Sequence, residues 1–192
     1  MKSVAIVYAT REGQTKKVAE RVASGLRGRR FHVWVKNAAD RQAPIDLNQC
    51  DAAILAASVH RSEHESEMVR FVKEHKARLE SIPTAFLSVN LSEAIVERPG
   101  QSQERREHFE VAVREAINRF VQETGWHPNH IKAIAGALPY SKYNLVIRFI
   151  LKRVAKSAGA DTDTTHDYEY TDWAAVDHFV EELAKEFATI PV

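Results

Sequence analysis

Ala9-Thr10-Arg11-Glu12-Gly13-Gln14-Thr15-Lys16-Lys17-Val18 combines hydroxyls, an amide and a single glycine in a spacing suited to holding a phosphate. It follows an apolar run, Val4-Ala5-Ile6-Val7-Tyr8, and opens a pattern in which Val18, Ala19, Val22, Ala23 and Leu26 recur at helical spacing. A strand therefore turns into a helix through a loop of donors. The free N–H groups and partial positive charge of a helix N-terminus favour an anion there. Neither G-x-G-x-x-G nor G-x-x-x-x-G-K-S/T is present, so dinucleotide and nucleoside-triphosphate readings lose their usual support. By spacing alone a second reading stays open: an ordinary strand–turn–helix in which Thr15 caps the helix.

Strand-like and helix-like segments alternate along the rest of the chain. Strands are expected at 4–9, 31–36, 52–57, 84–89 and 131–137, and helices near 14–27, 65–80, 102–124, 143–157 and 173–188. The later strands are compact apolar runs, as expected where both sheet faces are covered. Gly28 and Gly125 stand at helix-ending positions, and Ser102 and either Thr171 or Asp172 at N-caps. The stretch 91–101 reads as a mobile surface loop. Interleaving of this kind implies an α/β fold, a parallel sheet with helices on both sides. Ligands in such folds sit beyond the carboxyl ends of the strands. Three strand ends matter: the 10–15 loop, Ser58-Val59-His60-Arg61-Ser62-Glu63-His64-Glu65, and Asn90-Leu91-Ser92-Glu93. A phosphate on the first, with a flat ring between the other two, is the layout required by flavin mononucleotide (FMN).

Length and charge narrow the classes. The 192 residues suit one domain spanning 1–192, and a net charge of +1 gives no global pull toward nucleic acid. Cys50 is the single cysteine and is read as a core residue. No signal peptide or apolar span of membrane length is evident, so a cytoplasmic, soluble protein is expected. Along 102–124, Val111, Ala112, Val113, Ala116, Ile117, Phe120 and Val121 form an expected core face. Among nine histidines, His60 and His64 are four apart but are assigned to a loop, and no metal site is expected.

Tyr8-Ala9-Thr10-Arg11-Glu12-Gly13-Gln14-Thr15 resembles the flavodoxin phosphate loop, and the alternation of elements resembles the flavodoxin-like three-layer sandwich, whose five strands run in the order 2-1-3-4-5. More closely, the chain resembles the flavodoxin-type, quinone-dependent protoporphyrinogen oxidases. That likeness is carried by 9–15, by Pro83-Thr84-Ala85-Phe86-Leu87-Ser88-Val89-Asn90-Leu91 and by Ala135-Gly136-Ala137-Leu138-Pro139-Tyr140. Asp161-Thr162-Asp163-Thr164 and Tyr170-Thr171-Asp172-Trp173 complete it in the same order.

The resemblance implies FMN as cofactor and protoporphyrinogen IX as substrate, oxidised in three two-electron steps with a membrane quinone as acceptor. It implies that Thr10, Arg11, Glu12, Gly13, Gln14 and Thr15 form the phosphate site. Ser58, Val59, His60 and Arg61 would border the flavin ring on one side and Ser88, Val89, Asn90 and Leu91 on the other. The flavin carries the chemistry. One departure stands out: the 58–65 loop has no aromatic residue and no glycine, so His60 and Arg61 either face the ring or form a solvated loop.

The segment 141–157, inserted before the last helix, places Val146, Ile147, Ile150, Leu151 and Val154 on an apolar arc beside Arg148, Lys152 and Lys156. Such a basic amphipathic helix suits peripheral contact with the inner face of the cytoplasmic membrane through 143–156, or with a substrate bearing propionates. Packing on the sheet is the simpler alternative, and a homo-oligomer stays open. A flavodoxin-like electron carrier and an NAD(P)H-dependent quinone reductase are the competing functions. The near-neutral charge disfavours the carrier, whose docking ordinarily uses strong acidity.

Overall fold

The computed structural model describes residues 1–40, 45–142 and 163–190. Its strands are β1 (Ser3–Ala9), β2 (His32–Asn37), β3 (Ala52–His60), β4 (Glu63–His64), β5 (Thr84–Asn90), β6 (His130–Ala135), β7 (Ala137–Leu138) and β8 (Tyr168–Glu169). Helices are α1 (Gln14–Gly28), α2 (Ser66–Leu79), α3 (Leu91–Val96), α4 (Gln103–Thr124) and α5 (Trp173–Ala188). The main sheet runs β2-β1-β3-β5-β6, all parallel, with β4 folded back antiparallel onto β3. With β4 set aside, this is the expected order 2-1-3-4-5.

Alternation along each strand feeds two separate cores. Val4, Ile6, Ile54, Leu87 and Val89 meet Val18, Val22 and Leu26 of α1 and Val176, Val180 and Phe187 of α5. On the other face Ala5, Val7, Leu55 and Phe86 meet Met68 and Val72 of α2 and Phe120 of α4. Cys50 is buried in this second core, where desolvation pushes its thiol up to about 11, as suits a packing residue. Among the described residues no helix is long and apolar enough to cross a membrane. The expected amphipathic helix at 143–157 lies outside the described residues.

Several elements depart from expectation for identifiable reasons. The stretch 91–101 is not simply a loop: it begins with α3, whose N-cap Asn90 accepts a hydrogen bond from Glu93 N at 2.8 Å while Ile95 is buried. The expected strand 131–137 breaks at Gly136, whose N–H donates to Asn90 O at 2.9 Å. Beyond it β7 leaves the main sheet and pairs with β8. Gly125 adopts the expected left-handed conformation (φ 64°) after α4. Gly28 instead remains helical, and the left-handed residue after α1 is Arg30 (φ 65°). Ser102 and Asp172 are the N-caps. Val111 is exposed, whereas Val113, Ala116 and Phe120 form the buried face of α4.

His64 is the largest departure. Rather than lying on a loop, it ends the β3–β4 hairpin and is buried against Phe86 and Phe120, with ring centroids 5.1 and 4.9 Å away. Its Nε2 lies 2.9 Å from Ser88 Oγ. Burial among apolar rings pushes the imidazole down to about 4. As pH falls, the unfolded chain takes up this proton first, so stability should decline from about pH 6.5 toward pH 4. The loss is on the order of 3 kcal/mol. Urea unfolding at pH 7 and pH 4.5 should show that decline in the native protein and a smaller one in His64→Phe.

Candidate functional site

A cleft opens at the carboxyl ends of β1, β3, β5 and β6. Its walls are Thr10, Glu12, Gln14 and Thr15; Ser58, Val59 and His60; Val89, Asn90 and Leu91; and Gly136, Ala137 and Leu138. Ten of the residues expected from the sequence are therefore brought together. Gly13 lies just behind the wall, as the N-cap of α1. Arg11, Arg61 and Ser88 are not brought into the cleft. Gly136, Ala137 and Leu138 are additional, supplied by the end of the fifth parallel strand. The strand-end rule reached the ends of β1, β3 and β5 but was not carried to β6.

The phosphate-type loop is built by a glycine turn. Gly13 adopts φ 102°, a left-handed value that favours glycine, and its N–H donates to Thr10 Oγ1 at 3.0 Å. No side chain caps α1. Thr15, the cap on the alternative reading of this loop, lies inside the helix, is fully buried, and its Oγ1 has no hydrogen-bond partner among the described residues. Leaving a buried hydroxyl unpaired costs about 1–3 kcal/mol. Placed in the cleft wall at an uncapped helix N-terminus, that hydroxyl is suited to an anionic oxygen, so the residues present fit a phosphate monoester. Gln14 anchors the loop from beneath: its amide donates to Thr171 Oγ1 at 2.8 Å, and Thr171 Oγ1 donates to Ala135 O at 2.7 Å.

The opposite wall is the β3–β4 hairpin. Its two turn residues, Arg61 (φ 51°) and Ser62 (φ 64°), are both left-handed, the pattern of a tight hairpin turn ordinarily made by Asn-Gly. Non-glycine residues held there cost roughly 1–3 kcal/mol each. The turn directs Arg61 to solvent, while His60 faces the cleft with its Nε2 3.0 Å from Glu12 Oε2 and 3.3 Å from Glu65 Oε1. Ser88 is buried beneath the site, occupied by His64. Arg11 reaches sideways, its Nη2 3.2 Å from Glu65 Oε2. Glu65, given no role of its own within the 58–65 segment, is the N-cap residue of α2 but makes no side-chain capping bond. A capping side chain is typically worth about 0.5–2 kcal/mol, so α2 forgoes that stabilisation.

Residues 5–165 match the model of the Flavodoxin domain. The chain belongs to the flavodoxin-domain family. Within reach of sequence comparison, it is 33% identical over 179 residues to the protoporphyrinogen IX dehydrogenase (quinone) of Escherichia coli strain K12, covering 93% of each chain. It is 29% identical over 189 residues to the Leishmania major protein of the same name, covering 97% of this chain and 75% of that one. The fold is shared with the Streptococcus pneumoniae TIGR4 flavodoxin at TM-score 0.51 and 18% identity, over 96% of this chain and 99% of that one. In this flavodoxin-domain protein the cleft occupies the crevice at the strand ends where α/β sheets bind ligands.

Thr171 joins the loop to the sheet, and Thr171→Ala would leave the Gln14 amide and the Ala135 carbonyl without this partner. Urea unfolding without flavin should show a loss of about 1–3 kcal/mol, largely restored in Thr171→Ser.

Proposed function

We propose that this chain is an FMN-dependent oxidoreductase that converts protoporphyrinogen IX to protoporphyrin IX with a quinone as electron acceptor. The names of its relatives support the substrate and the acceptor. The single observation that supports FMN is the buried Thr15 hydroxyl, without a protein partner, beside an uncapped helix N-terminus in the strand-end cleft. Thr10, Gly13, Gln14 and Thr15 form the phosphate end. Val59 and His60 border the ring on one side, Val89, Asn90 and Leu91 on the other, and Gly136 to Leu138 close the end.

When bound, FMN supplies the two-electron acceptor for each round of substrate oxidation. The protein's own contribution is binding and orientation. The N-terminal amides of α1 and the Thr15 hydroxyl hold the anion without a lysine or arginine in the cleft wall. Val59, Val89, Leu91 and Leu138 offer apolar surface to a flat ring and limit water around it. Asn90 is committed to structure, capping α3 through Oδ1 and accepting Gly136 N through its carbonyl, so that wall is held rigidly.

The protein is read as one domain in the cytoplasm, with 143–156 as a peripheral membrane contact close to the quinone. The sequence pattern of Val146, Ile147, Ile150, Leu151 and Val154 interleaved with Arg148, Lys152 and Lys156 supports this reading.

Thr15→Val removes the hydroxyl while keeping the side chain's shape. It should weaken FMN binding about ten-fold or more, as expected for loss of a hydrogen bond to a charged group, without lowering the stability of the flavin-free protein. Fluorescence titration and thermal unfolding check the two parts; unchanged affinity removes Thr15 from the site. The activity is tested anaerobically: FMN-loaded protein mixed with protoporphyrinogen IX should bleach in its flavin band as porphyrin forms, and added quinone should restore the band. Flavin binding without bleaching would overturn the oxidase reading and leave a carrier or another reductase.

A further inference from the structure

We infer that Glu65 is a positioning residue that braces the two walls of the FMN cleft, fixing the phosphate loop against the ring-side hairpin. This rests on the FMN reading above and adds a residue outside the cleft lining. Glu65 is buried, and two donors from two distant segments hydrogen-bond to its carboxylate. Arg11, in the phosphate loop, reaches Oε2 at 3.2 Å. Ser58, at the end of β3, donates its hydroxyl to Oε1 at 3.2 Å, and His60 Nε2 lies 3.3 Å from the same oxygen. Glu12 Oε2 of the phosphate loop lies 3.0 Å from His60 Nε2, a close approach that makes no hydrogen bond.

The position of Glu65 explains why this group and not another forms the brace. Its backbone N–H donates to Ser58 O and its carbonyl accepts from Met68 N and Val69 N, so the main chain is fixed by the hairpin and the first turn of α2. The side chain is then free of capping duty and turned toward the other wall. The hairpin needs such an external hold. Its turn rests on two left-handed non-glycine residues, a conformation that persists where its surroundings determine it. Arg11, expected from the resemblance to hold the phosphate directly, serves on this account as the far end of the brace.

The two roles for Arg11 predict opposite signs. Were Arg11 a direct phosphate ligand restrained by Glu65, Glu65→Ala would free it, remove a negative charge near the anion and tighten FMN binding. As a brace, Glu65→Ala should raise the FMN dissociation constant about ten-fold, although the nearby negative charge is gone. Arg11→Ala should weaken binding less, and the double variant should be no weaker than Glu65→Ala alone, because the two residues act through one contact. Glu65→Gln, which keeps the volume and one acceptor oxygen, should fall between wild type and Glu65→Ala, and supplies the reading should the alanine variant not fold. Flavin-free melting temperatures separate this from general loss of structure: they should stay within a few degrees while affinity falls. Equal or tighter binding in the Glu65 variants, or additive losses with Arg11→Ala, overturns the brace. Failure of the wild-type protein to bind FMN overturns the cofactor reading itself and the brace with it.

Discussion

Because β1, β3 and β5 are covered on both faces, side chains along most of their length must be apolar or internally satisfied. The polar positions that these strands carry into the cleft are Thr10, Ser58 and Asn90, at or just past their carboxyl ends. That constraint concentrates polar chemistry at one edge of the sheet. Parallel strands also deliver those ends to the same side, so three separate connections meet without any long loop having to reach across. The cleft is thus a consequence of how the sheet is buried, and the individual side chains only decide what it can hold.

Its two sides are maintained differently. The phosphate end relies on backbone geometry: a left-handed Gly13, an uncapped α1 and the Gln14–Thr171–Ala135 chain beneath. The hairpin wall has no aromatic residue; the Glu65 carboxylate beside it accepts hydrogen bonds from Arg11 and Ser58, and His60 lies close to Glu12 and Glu65. An aromatic side chain would locate a flat ring by area and shape, with little dependence on its neighbours. A polar network locates it through directional contacts, so the residues that matter extend beyond those that line the cleft.

The fold was legible from apolar runs separated by helical periodicity, and the phosphate loop from its hydroxyl and glycine spacing. The misread parts have a common origin: local signals that were atypical or outweighed. The hairpin at 58–65 reads as a loop in the sequence because its turn is Arg61-Ser62, where Asn-Gly would announce a two-residue turn. Once that register is known, His64 must point inward, and its burial follows. Asn90-x-x-Glu93 was a visible helix start, with Ile95 four residues after Leu91, yet Pro99-Gly100 drew the whole stretch toward a loop. Ser88 and Val89 were both placed at the ring, although strand alternation allows only one of two neighbours to face a given side. Glu65 closes the 58–65 segment but carries no sequence signal for a contact with Arg11, 54 positions away.

The β7–β8 ribbon has an implication for how chains of this architecture diversify. Leu138 pairs with Tyr168 and Ser141 bonds to Asp167, so the polypeptide leaves and re-enters the body of the fold at adjacent points. The described ends of the intervening stretch are therefore fastened to each other. Because closure entropy grows only with the logarithm of length, lengthening a connection whose ends are held together in this way costs little. The ribbon is also part of the cleft, because Ala137 and Leu138 line it, so a change in what the ribbon carries is made beside the ligand wall.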